Sequence, residues 1–183
     1  MRRIFKRTTV LLFLMAAFTS VSFAGNYADV QENAWYNTSI NYVTEHGLMN
    51  GTGSNQFRPE LPLTRGMFVT ILGRMAGISP EEYESTSFAD VSSERYYSPY
   101  ITWAFQQGIT SGMDGDNFAP DQNVTREQMA VFIFRYVTYA GVTLSESENP
   151  ASSFSDEVEV SNYAKDALEF MRKTGIILSL IHI

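Results

Sequence analysis

Two Thr-Arg pairs, Thr64-Arg65 and Thr125-Arg126, stand 61 residues apart in the chain. An arginine offers a planar, charged fork of donors that matches a carboxylate in two-point geometry. A threonine ahead of a helix caps its first N–H groups. Together, at a helix start, they add a cation to the positive end of the macrodipole and to unpaired backbone donors, which is the chemistry of an anion site. The competing reading is that each arginine ties neighbouring segments together through an acidic partner. Other reactive material is scarce. The sequence has no cysteine, so it offers no disulfide, thiol nucleophile or Cys-type zinc site. Two histidines, His46 and His182, leave little for a metal centre or a triad. No nucleophile–base pair recurs at a convincing position, so neither an enzyme nor a cofactor is expected.

The 183 residues are 44% apolar and 14% aromatic, as in a folded domain rather than a disordered chain. Arg2, Arg3, Lys6 and Arg7 precede an apolar run from Val10 to Phe18, and Ser22-Phe23-Ala24 follows with small residues at −3 and −1. That order is expected of a signal peptide over 1–24. The apolar run of about nine residues falls short of the ~20 needed to span a bilayer. Without that segment, 9 basic and 20 acidic residues remain, a net charge of −11. This balance argues against nucleic acid and against charge-driven binding to an anionic membrane. An anionic ligand must then be held by local arginines against an unfavourable global field.

The elements that position the arginines come from an internal repeat. At an offset of 61, Asp29-Val30 falls on Asp90-Val91, Trp35-Tyr36 on Tyr96-Tyr97, and Ile40 on Ile101. Gly47, Gly51, Phe57 and Pro59 fall on Gly108, Gly112, Phe118 and Pro120, and Arg74 falls on Arg135. A third copy starts at Phe154-Ser155-Asp156, and its Tyr163 to Ile176 matches Tyr96 to Ile109 at an offset of 67. Each copy reads as helix, loop, helix. The first helix begins near Trp35 or Tyr96 and ends on a left-handed glycine, Gly47 or Gly108. Turn residues follow, with Phe57 and Phe118 pinning the loop to the core and Pro59 and Pro120 fixing its exit. Thr64 and Thr125 cap the second helix, and Thr125-Arg126-Glu127-Gln128 is a complete capping box. Phe68, Ile71, Leu72 and Met75, and Met129, Phe132, Ile133 and Tyr136, form an apolar stripe for core packing. The expected division is repeat one over 25–78, a linker over 79–87, repeat two over 88–142, a linker over 143–153, and an incomplete repeat three over 154–183. One helix pair is too small to bury its own apolar face, so the copies must pack on each other.

These residues resemble the S-layer homology family. The resemblance rests on Phe/Tyr-x-Asp-Val, the aromatic pair, the Gly-Leu/Ile-x-x-Gly loop, Phe-x-Pro and Thr-Arg, and it covers roughly residues 27–177. The family's Thr-Arg-Ala-Glu departs to Thr64-Arg65-Gly66-Met67 and Thr125-Arg126-Glu127-Gln128. The resemblance implies an all-α, pseudo-threefold assembly. It also implies a secreted, non-enzymatic anchor at the bacterial cell wall, with scope for self-assembly in a surface layer. The ligand it implies is a peptidoglycan-linked secondary cell-wall polysaccharide, often pyruvylated, bound in grooves between repeats. On this footing Arg65 and Arg126 are the first ligand contacts, beside Thr64 and Thr125. Trp35, Tyr96 and Trp103 either cover sugar faces or pack in the core. Asp29 and Asp90 either accept from sugar hydroxyls or, the reading favoured here, cap the first-helix region. Gly51 and Gly112 admit close approach of a sugar, make the turn, or both.

Other motifs are weak. Asp114-Gly115-Asp116 starts like a calcium loop, but Phe118 and the missing twelfth-position Glu make it a turn, so no metal is expected. Asn37-Thr38-Ser39 and Asn123-Val124-Thr125 match the short glycosylation triplet. His46 is expected to meet its helix C-terminus. The third copy gives way to Leu178-Ser179-Leu180-Ile181-His182-Ile183 where a loop glycine, a Phe-x-Pro and a Thr-Arg helix are due. The expectation is a truncated copy, since a terminal repeat needs a cap and an apolar end is a liability. The alternatives to a stand-alone anchor are the N-terminal anchoring part of a larger surface-layer protein or surface glycoside hydrolase, and a helical repeat that binds proteins.

Overall fold

The computed structural model describes residues 27–84, 86–148, 150 and 160–177. The signal segment, the Phe154-Ser155-Asp156 opening of copy three and the apolar end lie outside the described residues. Among the described residues five α-helices follow one another: α1 (Asn37–Glu45), α2 (Arg65–Met75), α3 (Ser98–Gln106), α4 (Arg126–Tyr139) and α5 (Lys165–Lys173). Among the described residues β-pairing is confined to isolated bridges, one of which joins Thr64 to Asn123. The architecture is all-α.

The repeat offset reappears as geometry. The first helices start two residues after Trp35 and Tyr96, because Asn37 and Ser98 are still held in turns by the carbonyls of Ala34 and Arg95. Gly47 and Gly108 take φ of +66° and +69°, and the next residues close 6→1 bonds, Leu48 N–H to Val43 O at 2.8 Å and Ile109 N–H to Ala104 O at 2.8 Å. Thr64 Oγ1 accepts from Met67 N–H, and Thr125 and Gln128 exchange both bonds of the capping box. His46 Nδ1 lies 2.8 Å from Tyr42 O, in the last turn of α1.

Helix pairing runs between copies. α2 packs on α3, α4 packs on α5, and α2 also meets α4. Each second helix therefore covers the first helix of the next copy. Among the described residues no second helix packs on α1, and Ile40 is its only buried residue. The first apolar cluster gathers Val69, Leu72, Phe88, Tyr97, Ile101, Trp103, Phe118 and Phe132. The second joins Ala130 and Val131 to Ala167, Leu168, Met171 and Ile177.

This pairing changes the expected stripe. Along α2 the buried positions are Arg65, Gly66, Val69, Thr70, Leu72 and Gly73, while Met75 is half exposed. A helix covered on two sides buries small and polar residues that a one-sided stripe would leave in solvent. A methyl group added at Gly73 would run into the ring of Tyr100 on α3. One at Gly66 would lie 3.1 Å from both Pro120 O and the ring of Tyr97.

Asp29 and Asp90 do not cap the first helices, whose N-caps accept no side-chain bond. Each carboxylate reaches across its own repeat to the loop ahead of the second helix. Asp29 accepts from Phe57 N–H (2.9 Å) and Arg58 N–H (2.7 Å), and Asp90 accepts from Phe118 N–H (2.9 Å) and Ala119 N–H (2.7 Å). Arg58 and Ala119 both sit at φ +59°, which costs a residue with a Cβ about 1–2 kcal/mol. The charged acceptor offsets that cost. The sequence pattern suggested a local cap because Asp is a frequent capping residue, and nothing in it pointed 28 residues ahead.

Two predictions follow from this packing. The bond from Phe57 N–H, with that from Arg58, holds the Asp29 carboxyl below its ordinary value of 3.8, against a smaller opposing effect of burial. A depressed folded-state value stabilises the fold fully above the ordinary value, and this stabilisation is lost as pH falls through the folded one. The melting temperature of Asp29→Asn should lie below wild type at pH 7 and converge on it below about pH 4. Parallel profiles across that range would refute the latch. For Gly73→Ala, overpacking of about 1–3 kcal/mol opposes a helix-propensity gain of about 1 kcal/mol. Urea denaturation should find Gly73→Ala destabilising in wild type and stabilising in a Tyr100→Ala background. The same sign in both would mean that the ring is not the obstacle.

Candidate functional site

The head of α2 is tied to the loop of the second repeat. Arg65 N–H donates to Gln122 O and Gly66 N–H to Pro120 O, both at 2.9 Å, and Val124 N–H donates to Leu63 O at 2.9 Å. Met67 N–H and Phe68 N–H go to the side chain and carbonyl of Thr64. All four leading N–H groups of α2 are therefore consumed. The expectation that unpaired helix-start amides assist the arginine fails at this helix, because the neighbouring repeat supplies the missing acceptors.

What remains is the Arg65 side chain, which is only 2% exposed. Its Nε donates to Phe118 O at 2.9 Å, and its guanidinium lies over the rings of Phe118 and Phe132, at 4.6 and 5.3 Å from their centroids. Its Nη2 is buried and has no hydrogen-bond partner among the described residues. Among the described residues no carboxylate lies within ion-pair distance of it. Burial pulls its pKa down, opposed by Tyr163 and Asp90. Arg65 does join neighbouring repeats, through a carbonyl and two ring faces rather than the acidic partner considered from the sequence. A buried cation with an unused donor and no directly paired carboxylate favours an anion from outside.

Arg65 stands at one wall of a groove of about 300 Å³. The groove is also lined by the loop Thr110-Ser111-Gly112-Met113, by Gln128, Val131, Phe132 and Arg135 of α4, and by Tyr163. Three copies of the repeat thus contribute to one site. Arg135 Nη1 donates to Ile109 O at 3.4 Å, as Arg74 Nη1 does to Leu48 O at 2.9 Å. Gly112 is required in the loop wall, since at φ +85° an added Cβ would lie 2.7 Å from the Phe88 ring and 2.8 Å from Asn117 O. Gly51 is held in the same way, against Gln56 O and Tyr27.

Of the residues singled out in the sequence, Arg65 and Gly112 meet in this groove. Thr64 and Thr125 are caps, and Asp29 and Asp90 are loop latches. Trp103 is fully buried, edge-on to Tyr139 at 5.5 Å, and presents no face to a sugar. It belongs to the core, packed in the first apolar cluster with Tyr136 and Tyr139 of α4 set edge-on against it. Trp35 is 91% exposed and Tyr96 52% exposed, and neither is among the groove's lining residues. Their counterpart Tyr163 is. Arg126 is half-buried at the head of α4 and also lies away from this groove. The segment answering to the 110–113 loop for it falls mostly past residue 177, outside the described residues. Sequence reading passed over Arg135, Gln128 and Tyr163 as site residues. The matches of Arg74 to Arg135 and of Tyr96 to Tyr163 were the available signals.

The repeated geometry agrees with comparison to known proteins. The model of the S-layer homology domain matches residues 26–66 and 87–130. An amylopullulanase of Thermoanaerobacterium thermosulfurigenes is 29% identical over 87% of this chain and 8% of its own length. An exoglucanase of Acetivibrio thermocellus is 30% identical over 82% of the chain and 14% of its own length. An S-layer protein of Bacillus anthracis is 26% identical over 96% of the chain and 21% of its own length. The chain thus spans between 8% and 21% of the length of these curated relatives. Two domain matches fall on the two helix pairs that carry Thr64-Arg65 and Thr125-Arg126, and the chain belongs to the S-layer homology domain family.

Proposed function

We propose that this chain is a secreted, non-catalytic anchor that holds to the bacterial cell wall without a covalent bond. Its ligand would be a secondary cell-wall polysaccharide linked to peptidoglycan and carrying pyruvyl ketals. The observation that carries the reading is Arg65, a buried guanidinium that, among the described residues, has an unpaired Nη2 and no carboxylate within ion-pair distance. A pyruvyl ketal presents one carboxylate on a compact sugar frame. That charge would complete the arginine's fork, while the hydroxyls of Thr110 and Ser111 and the ring of Tyr163 suit a saccharide's polar edge and apolar face. The family membership and the surface-layer relatives support the same reading. In this reading the helix relay closes into a pseudo-threefold assembly, repeats one, two and three occupy 25–78, 88–142 and 154–183, and residues 1–24 direct secretion.

A second reading makes these residues the anchoring part of a larger surface-layer protein or surface glycoside hydrolase. The lengths of the relatives favour it, since the chain matches only 8% of the amylopullulanase and 21% of the S-layer protein. The anchor would work in the same way in either setting.

The test is co-sedimentation of the purified chain with bacterial walls bearing pyruvylated polysaccharide, against the same walls stripped of it by acid. Binding should occur only to intact walls. Arg65→Lys keeps the charge and loses the fork, and should weaken binding roughly 10- to 100-fold, the range expected for a charged hydrogen bond. Equal binding to stripped walls, or undiminished binding by folded Arg65→Lys and Arg65→Ala variants, would reject the reading.

A further inference from the structure

The carboxylate of Glu127 has no counterpart in the first repeat, where Gly66 stands at the matching position. Glu127 Oε1 accepts from Ser161 N–H at 2.8 Å, and its Oε2 accepts from the hydroxyl of Tyr163 at 3.2 Å. One side chain on the first turn of α4 thus holds two points 34 and 36 residues further on. The second of these points, Tyr163, lines the same groove as Arg65, and its hydroxyl also meets the side chain of Thr125. The two interfaces between copies are built differently to allow this. At the first, Gly66 makes room for the buried ring of Tyr97. At the second, Glu127 takes the place of the glycine, and the residue matching Tyr97 is the small Ala164, which is fully buried. Tyr96, the counterpart of Tyr163, makes no hydrogen bond through its hydroxyl among the described residues, although the two are similarly exposed, at 52% and 56%.

We infer that Glu127 is a positioning residue for the groove: it touches no ligand, and by anchoring the Tyr163 hydroxyl it fixes the ring in the lining that Tyr163 shares with Arg65 before the ligand arrives. An unanchored tyrosine ring samples several rotamers and must be ordered on binding, which weakens affinity. A glutamate here supplies that order in advance, and it does so at one interface only. The inference rests on the anchor reading for the identity of the ligand, but the restraint on Tyr163 can be measured without any ligand.

Two measurements on the full chain test it. In the first, tyrosine nitration by tetranitromethane is followed by mass spectrometry. Tyr163 should react more slowly than Tyr96 in wild type, and the difference should narrow in Glu127→Ala. Equal rates in wild type would overturn the inference. In the second, wall binding is compared for Glu127→Ala, Tyr163→Phe and the double variant. Glu127→Ala leaves the ring only its contact with Thr125 and should weaken binding several-fold, Tyr163→Phe removes both contacts and should weaken it about 5- to 10-fold, and the double variant should be no weaker than Tyr163→Phe within about twofold. Glu127→Gln, whose amide can still meet both Ser161 and Tyr163, should restore most of the loss. Losses that multiply in the double variant would mean that Glu127 acts only by docking α5, and would reject the positioning role. If wild type binds no wall while nitration behaves as expected, the anchor reading falls and the restraint on Tyr163 stands.

Discussion

The head of α2 has to find hydrogen-bond acceptors inside the neighbouring repeat, and much of the structure depends on that requirement. Arg65 and Gly66 lie at the first turn of a buried helix, where backbone N–H groups have no intrahelical partner. Left unpaired, each would cost about 1–3 kcal/mol. The carbonyls of Gln122 and Pro120 take them, and the return bond from Val124 to Leu63 closes a short ladder between the copies. That ladder fixes the second loop beside the first Thr-Arg pair. It also carries the Arg65 side chain down between the rings of Phe118 and Phe132. Water is kept from the guanidinium by the same contacts that join the repeats, so the properties of the site are a consequence of the joint.

The joint explains why no single repeat contains the site. Each second helix packs on the first helix of the next copy, so the groove draws its lining from the head of α2, from the 110–113 loop with α4, and from Tyr163 ahead of α5. Pairing of this kind makes each copy dependent on its neighbour, as in other stacked repeats. It also lets the copies diverge. The pairing of Gly66 with Tyr97 and of Glu127 with Ala164 fills equivalent space with opposite distributions of bulk. The interfaces are complementary within themselves and would fit poorly if exchanged.

Much of this was legible in the sequence where the signal is local. The left-handed glycines, the threonine caps and the capping box depend on residues within four positions of one another, and they appear where the pattern places them. The 61-residue offset carried over to the loop phenylalanines, of which Phe118 is fully buried. Long-range choices were not legible. Periodicity says which side of α2 is apolar but not that two neighbours cover it, so the burial of Thr70 and Gly73 was missed. Nothing in its spacing separates Trp103, which is packed in the core, from Trp35, which stands in solvent. The two Asp latches failed as caps for the same reason, since their partners lie 28 and 29 residues away. Tyr163 was present as a repeat match, and its place in the groove comes from Glu127, the residue at which the copies differ.

The acidic balance of the chain bears on what the groove selects. Outside the first 24 residues the net charge is −11, yet the buried charge in the site is positive. At physiological ionic strength, exposed charges are screened over about 8 Å, whereas a group enclosed by rings and backbone is screened much less. Over the distances that matter inside the groove, Arg65 therefore outweighs the diffuse surface acids. Outside it those acids dominate and oppose the approach of an extended polyanion. A densely charged polymer such as nucleic acid meets that repulsion along its whole length. A ligand bearing one carboxylate on an otherwise neutral sugar meets it only weakly, and gains the full local attraction once the carboxylate enters. On the proposed reading, a negative surface around a groove lined by Arg65 and Arg135 suits sparse carboxylates rather than polyanions, and burial of Arg65 by the neighbouring repeat is what makes that discrimination physically available.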